Sequence, residues 1–128
     1  MLIVEDDDDA RDLLSELIDA MGHRTVQAAT AEQALEQVER GGLDLALIDL
    51  GLAGHDGCEV ARRIRATVAG AGMHLIAFTG YSDDATRNSA VAAGFDDFVV
   101  KPADRSTIER AMNAQVSAAR APRSNQRE

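Results

Sequence analysis

The chain predicts a doubly wound α/β domain, with one parallel sheet covered by helices on both faces. Two observations carry that expectation. Short apolar runs alternate with longer segments of helical period, the βαβα rhythm of a parallel sheet. The third run, Leu43-Asp44-Leu45-Ala46-Leu47-Ile48-Asp49, is rich in Leu and Ile, as a strand buried on both faces and central in its sheet should be. At 128 residues the chain is the size of one domain and can bury a real core.

Each element has its own signals. Residues 2–4 open the sheet. From Ala10 to Met21, Leu13, Leu14, Leu17, Ile18 and Met21 recur at three- and four-residue steps, and Gly22 follows as a stop, which predicts the first helix. His23 to Ala28 reads as the second strand. Thr30-Ala31-Glu32-Gln33 has the spacing of a capping box, so a second helix is expected from Ala31 to about Arg40, broken by Gly41-Gly42. The third strand ends at Asp49. Gly51, Gly54 and Gly57 punctuate a loop before a third helix carrying Val60, Ala61 and Ile64, and Gly70-Ala71-Gly72 returns the chain to a fourth strand.

Ser82 is the expected cap of a fourth helix that runs through Ala93, is alanine-rich and offers only a thin apolar face. Gly94 ends it, and Phe95 to Val100 gives the fifth strand. A last helix shows Ile108, Met112 and Val116 at four-residue steps. The domain is expected to span 1–119, and the aperiodic 120–128 to form a disordered tail. No internal repeat, linker or second domain is visible.

Composition excludes several roles. A formal net charge of −9 repels polyphosphates and anionic lipid, which argues against nucleic acid or membrane as partners and favours a protein. The single Cys58 has no partner for an intrachain disulfide, which fits a reduced, cytoplasmic setting and a packing role. No apolar stretch approaches the roughly 20 residues that span a bilayer, and Met1-Leu2-Ile3-Val4 runs into acids, unlike a signal peptide.

The chemistry lies at strand ends. Glu5-Asp6 follows the first strand, Asp49 ends the third, Thr79 follows Leu75-Ile76-Ala77-Phe78, and Lys101 follows Phe98-Val99-Val100. A doubly wound sheet places its ligand site at the carboxyl ends of its strands, so these groups should meet. Three crowded carboxylates make sense beside a divalent cation. Mg²⁺ suits them, since it takes oxygen ligands and keeps waters that a phosphate oxygen can replace. With Lys101 and the Thr79 hydroxyl on the other side, the pocket clamps a phosphoryl group on Asp49.

These residues resemble the receiver domain of two-component response regulators, over the chain up to about residue 118. Leu2-Ile3-Val4-Glu5-Asp6-Asp7 is similar to that family's first strand and acidic pair, and Leu47-Ile48-Asp49-Leu50-Gly51-Leu52 to its phosphoacceptor strand and loop. Ala77-Phe78-Thr79-Gly80 resembles its switch-threonine segment, and Phe98-Val99-Val100-Lys101-Pro102 its lysine-proline end. The resemblance implies a flavodoxin-like, CheY-like three-layer sandwich with strand order 2-1-3-4-5. It implies Asp49 as phosphoacceptor, Mg²⁺ held by Glu5, Asp6, Asp49 and the Gly51 carbonyl, and Thr79 and Lys101 on the phosphoryl oxygens. It further implies Phe98 as the aromatic switch, a cis Lys101-Pro102 bond, and a sensor histidine kinase or histidine phosphotransfer domain as donor. The contact face for a downstream protein would be the fourth helix, fifth strand and fifth helix. The domain is then no enzyme beyond its own phosphorylation and dephosphorylation.

Three positions depart from the family's usual pattern. Ala53 stands where proline is common and His55 where Met or Leu precedes Asp-Gly, which predicts a looser or more pH-sensitive loop. Phe98 lacks the hydroxyl of the tyrosine often found there. The sheet begins one residue into the chain, as expected of a receiver cut from a longer protein such as a hybrid histidine kinase.

Plainer readings apply elsewhere. Asp7, Asp8 and Asp9 suit a solvated helix start, since acids near a helix N-terminus gain about 0.3–1 kcal/mol each. His23, His55 and His74 are scattered singly and read as structural or exposed, Asp96-Asp97 as solvated, and Gly80 and Gly94 as backbone requirements. A phosphohydrolase of the haloacid dehalogenase type would need an acid where Gly51 stands, and a flavin carrier would not place acids after the first strand. The rival that remains is a pseudo-receiver, an interaction module without phosphorylation, against which the acids, Thr79 and Lys101 argue.

Overall fold

The computed structural model describes residues 1–51, 57–80 and 83–120, the last seven by their backbone alone. Among the described residues five strands and five helices alternate: β1 (Leu2–Val4), α1 (Asp8–Ala20), β2 (Val26–Ala28), α2 (Ala31–Glu39), β3 (Leu45–Asp49), α3 (Gly57–Arg65), β4 (His74–Thr79), α4 (Asp84–Ala93), β5 (Asp97–Val100) and α5 (Arg105–Arg120). All pairings are parallel, in the order β2-β1-β3-β4-β5. The fold is thus the expected doubly wound, CheY-like sandwich. β3 is central and buried along its whole length.

Side chains of successive strand residues point to opposite faces, and the core divides accordingly. Leu2, Val4, Ala46, Ile48, Leu75 and Ala77 pack under α2, α3 and α4. Ile3, Leu45, Leu47, Ile76, Phe78 and Val99 pack under α1 and α5. Continuing these rows past the strand ends puts Glu5 and Asp49 in the α1/α5 rows and Thr79 in the α4 row. The carboxyl edge therefore collects groups from both layers.

Local chemistry sets the helix ends. Asp7 caps α1, its Oδ1 accepting from the N–H of Asp9 and Ala10 at 3.0 and 3.2 Å, with Asp8 and Asp9 exposed in the first turn. The α2 cap is reciprocal, one residue out of the expected box. Thr30 Oγ1 accepts from Gln33 N–H, but Gln33 Oε1 accepts from Ala29 N–H. Gly94 takes φ +107 at the end of α4, a left-handed turn that glycine makes without steric penalty.

Several expectations need correction. The cap of α4 is Asp83, whose carboxylate accepts from the N–H and hydroxyl of Thr86; Ser82 lies outside the described residues. β2 starts only at Val26 and β5 only at Asp97, because the preceding residues turn in from helices before pairing. Leu13 is 67% exposed, since its place on α1 falls on the rim of the apolar stripe. Gly80 has no left-handed φ, and a Cβ there would meet nothing within 4 Å, so its backbone does not demand glycine. Ala53, His55 and residues 121–128 lie outside the described residues, and the Val116 side chain is not described.

Asp96 is not merely solvated. Its Oδ2 accepts from the Leu75 N–H at 2.9 Å and pairs with Arg65, 3.8 Å from the Nδ1 of buried His74. Arg65 also donates to the carbonyls of Gly94, Gly70, Ala71 and Met73. One guanidinium thus ties the end of α3 to the start of β4 and the α4–β5 turn. Truncating it strands several acceptors, each a charge-assisted bond. Arg65→Ala should lower the urea midpoint by the equivalent of about 2–4 kcal/mol with an unchanged denaturant slope; an unmoved midpoint would show the clamp to be surface decoration.

Candidate functional site

The site is assembled by backbone that continues past the strands. Glu5 N–H still donates to Ala28 O at 3.1 Å, and Arg11 of α1 donates from Nη1 to Glu5 O at 2.9 Å. Glu5 Oε2 accepts from the Asp7 N–H at 3.2 Å, so a residue 4% exposed is held in one orientation. Asp49, 7% exposed, ends β3, and its Oδ1 accepts from the Gly51 N–H at 3.0 Å. Glu5, Asp6 and Asp49 each offer one carboxylate oxygen, all within 4.8 Å of one another.

Lys101 answers these charges. The Lys101-Pro102 bond is cis, and Lys101 N–H donates to Thr79 O at 2.6 Å. Its Nζ lies 3.1 Å from Asp49 Oδ2, 3.6 Å from Glu5 Oε1 and 5.1 Å from the centre of the Phe78 ring. Thr79 is 3% exposed. Together Asp49, Gly51, Thr79 and Lys101 line a cavity of about 770 Å³ that extends to Cys58 of α3 and to Thr86 and Ser89 of α4.

The charge balance is incomplete. Burial pushes the Glu5 carboxyl up from 4.5 to about 7, the Asp7 N–H opposes this, Asp49 adds to it and Lys101 again opposes it. The Lys101 ammonium therefore does not offset the burial of Glu5 beside Asp49. All three donors are oxygens, converging within reach of one ion, which is what a hard divalent cation takes. The acids fit Mg²⁺ on that ground.

The structure brings Glu5, Asp6, Asp49, Gly51, Thr79 and Lys101 to one edge. Phe98 is the exception. It pairs with Ala77, while Thr79 pairs with Val100, so the ring sits one step below the edge in the row of Thr79. It packs beside the α2/α3/α4 core, with the Arg87 guanidinium 4.6 Å from its centre. Arg11, Arg87 and the α4 wall of the cavity were not read from the sequence. Their contacts join residues without a short fixed spacing, and only the helix–strand packing sets them.

A parallel sheet that gathers an acid cluster, an aspartate, a hydroxyl and a lysine at its carboxyl edge has its site where a doubly wound domain places one. The family model for the response regulator receiver domain matches residues 1–113, and the chain belongs to that family. It is 35% identical over 114 residues to the transcriptional regulatory protein AfsQ1 of Streptomyces coelicolor, covering 89% of this chain and 49% of AfsQ1. It is 31% identical over 127 residues to the virulence sensor protein BvgS of Bordetella pertussis, covering 95% of this chain and 10% of BvgS. The chain thus spans at most about half of either relative. Among solved structures, the receiver domain of the sensor histidine kinase PA1611 from Pseudomonas aeruginosa, with magnesium in its active-site cleft, superposes with a TM-score of 0.83. The identity is 28%, and 91% of this chain and 95% of that one are covered.

The raised Glu5 pKa makes a stability prediction. A carboxyl whose folded pKa of about 7 exceeds its unfolded value of 4.5 opposes folding fully above pH 7, and the penalty fades as pH falls toward 4.5. Without divalent metal, Glu5→Gln should therefore be more stable than wild type at pH 8, by about 1–3 kcal/mol, and nearly equal to it at pH 4.5. Thermal melts in EDTA at the two pH values check this. A variant less stable than wild type at pH 8 would mean that Lys101 outweighs burial.

Proposed function

We propose that this domain accepts a phosphoryl group on Asp49, in a Mg²⁺-dependent reaction, from a sensor histidine kinase or a histidine phosphotransfer domain. The observation that carries the reading is the Asp49 carboxylate itself. It is oriented by the Gly51 N–H, lies 3.1 Å from the Lys101 ammonium and beside two further acids, and opens on a cavity shared with Thr79.

Transfer forms a bond from an Asp49 carboxylate oxygen to phosphorus and breaks the bond from phosphorus to the donor's histidine nitrogen, which keeps the electron pair. Lys101 Nζ exchanges its carboxylate contact for one shared with a phosphoryl oxygen, and the Thr79 hydroxyl donates to another. These preorganised donors stabilise charge where it develops, with little reorganisation. Glu5, Asp6, Asp49 and the Gly51 carbonyl would hold Mg²⁺, whose charge offsets the carboxylates and the incoming dianion. The magnesium in the PA1611 receiver supports this assignment.

The output is proposed to be conformational. Thr79 and Phe98 share a row on the α4 side of the sheet. A Thr79 hydroxyl drawn toward Asp49 leaves space that the Phe98 ring turns in to fill, and the α4-β5-α5 face changes for a downstream protein. A bias of about 1.4 kcal/mol changes the population ratio tenfold. The net charge of −9 disfavours nucleic acid as a partner, and among the described residues no helix is long and apolar enough to cross a membrane.

Incubation with Mg²⁺ and acetyl phosphate should add one phosphoryl group, about 80 Da by intact mass. The increment should vanish in Asp49→Asn and with EDTA, and fall strongly in Asp6→Ala. Labelling that persists in Asp49→Asn would refute the assignment, and full labelling of Asp6→Ala would refute the ligand set.

A further inference from the structure

We propose that Arg87 is a latch on the Phe98 ring, holding the unphosphorylated state and releasing its guanidinium on the α4 face when the ring turns inward. The inference rests on the switch reading above and adds a residue to it. Its starting point is the contact itself, with the Arg87 guanidinium carbon 4.6 Å from the centre of the Phe98 ring. A guanidinium over an aromatic face within about 6 Å is attracted by the ring's quadrupole. Both residues line a cleft between α4 and β5, with Ala90, Val91 and Phe95.

Three further observations give the contact a role. First, α4 is thinly packed: its buried residues are Ala90 and Ala93, both in its C-terminal half. Arg87 lies in the half that buries no residue, and its side chain reaches from there to the Phe98 ring of β5. The C-terminal end is tied separately, by Arg65 donating to Gly94 O at 3.0 and 2.7 Å. Second, the exposed half of α4 stands over the cavity that Asp49, Thr79 and Lys101 line, through Ala85, Thr86 and Ser89. Movement there would reshape the cavity beside Asp49. Third, Phe98 has no hydroxyl with which to bond outward, so only packing and the guanidinium favour its present position.

The latch makes ring and helix interdependent. While Arg87 covers the ring, inward rotation must break the cation–π contact. Once the ring has turned, the guanidinium has no aromatic partner and is presented on α4, where a carboxylate of a docking protein can take it. An exposed contact of this kind biases populations by about two- to fivefold, enough to tune the switch and small enough for phosphorylation to overcome.

The test compares Arg87→Ala, Arg87→Gln and Arg87→Lys with wild type, all in Mg²⁺ without phosphodonor. The readouts are Phe98 χ1 populations from three-bond couplings and the amide shifts of α4. Loss of the guanidinium in Arg87→Ala and Arg87→Gln should raise the inward Phe98 population about two- to fivefold. It should also move the α4 amides part of the way toward their positions in the beryllofluoride complex, with Arg87→Lys intermediate. Unchanged χ1 populations in both Arg87→Ala and Arg87→Gln would overturn the latch, as would Arg87→Gln matching wild type while Arg87→Ala does not, since packing alone would then explain the contact. Intact mass after acetyl phosphate treatment is read in parallel. A wild type that takes no label overturns the receiver reading, whereas a labelled protein with an Arg87-independent ring overturns only the latch.

Discussion

The structure turns on an electrostatic conflict set by its topology. Parallel strands all present their carboxyl ends to one edge, and here two of those strand ends carry acids that come within 4.8 Å of one another. Burial makes the conflict worse, since water cannot screen carboxylates that are nearly covered. One consequence is visible on Glu5, whose carboxyl is pushed up to about 7. The other is the position of Lys101, which turns from the end of β5 across the edge toward Asp49 and Glu5. Two buried carboxylates that share one lysine are the ground on which the proposed Mg²⁺ and phosphoryl group rest.

The rest of the molecule serves that arrangement. β3 is buried on both faces and carries Asp49 to a fixed position, while β1 and β4 pair on either side of it. Helices cover both faces, and at the carboxyl edge side chains from the two layers meet. Thr79 belongs to the α4 row and Asp49 to the α1/α5 row, so in the proposed switch Thr79 is the link from Asp49 to α4. The packing of α4 is unequal, tied by Arg65 at one end and thin at the other, which leaves its N-terminal half room to respond.

Much of this was legible in the sequence. Strand runs with no polar alternation, glycine stops and acids at strand ends predicted the layers, the central place of β3 and the residues at the edge. The Thr30 cap was read from its spacing, and Asp7 to Asp9 were read as a helix start. The misses share a physical reason: they depend on tertiary placement. Leu13 has the right period but falls on the rim of its stripe. Asp83 and Ser82 are both good caps, and which one serves depends on where the chain enters the helix. Asp96 looked solvated because its partners, Arg65 and the Leu75 N–H, lie 31 and 21 residues away. Arg87 over Phe98 is likewise a contact between a helix and a strand, with nothing in the sequence to mark it.

The most direct test of the central claim uses beryllofluoride, which stands in for the phosphoryl group on a carboxylate, and follows it by ¹⁹F NMR. The account predicts bound fluorine signals only when Mg²⁺ and beryllofluoride are both present, lost on adding EDTA and absent from Asp49→Asn. Bound signals that form without metal, or that survive in Asp49→Asn, would contradict it.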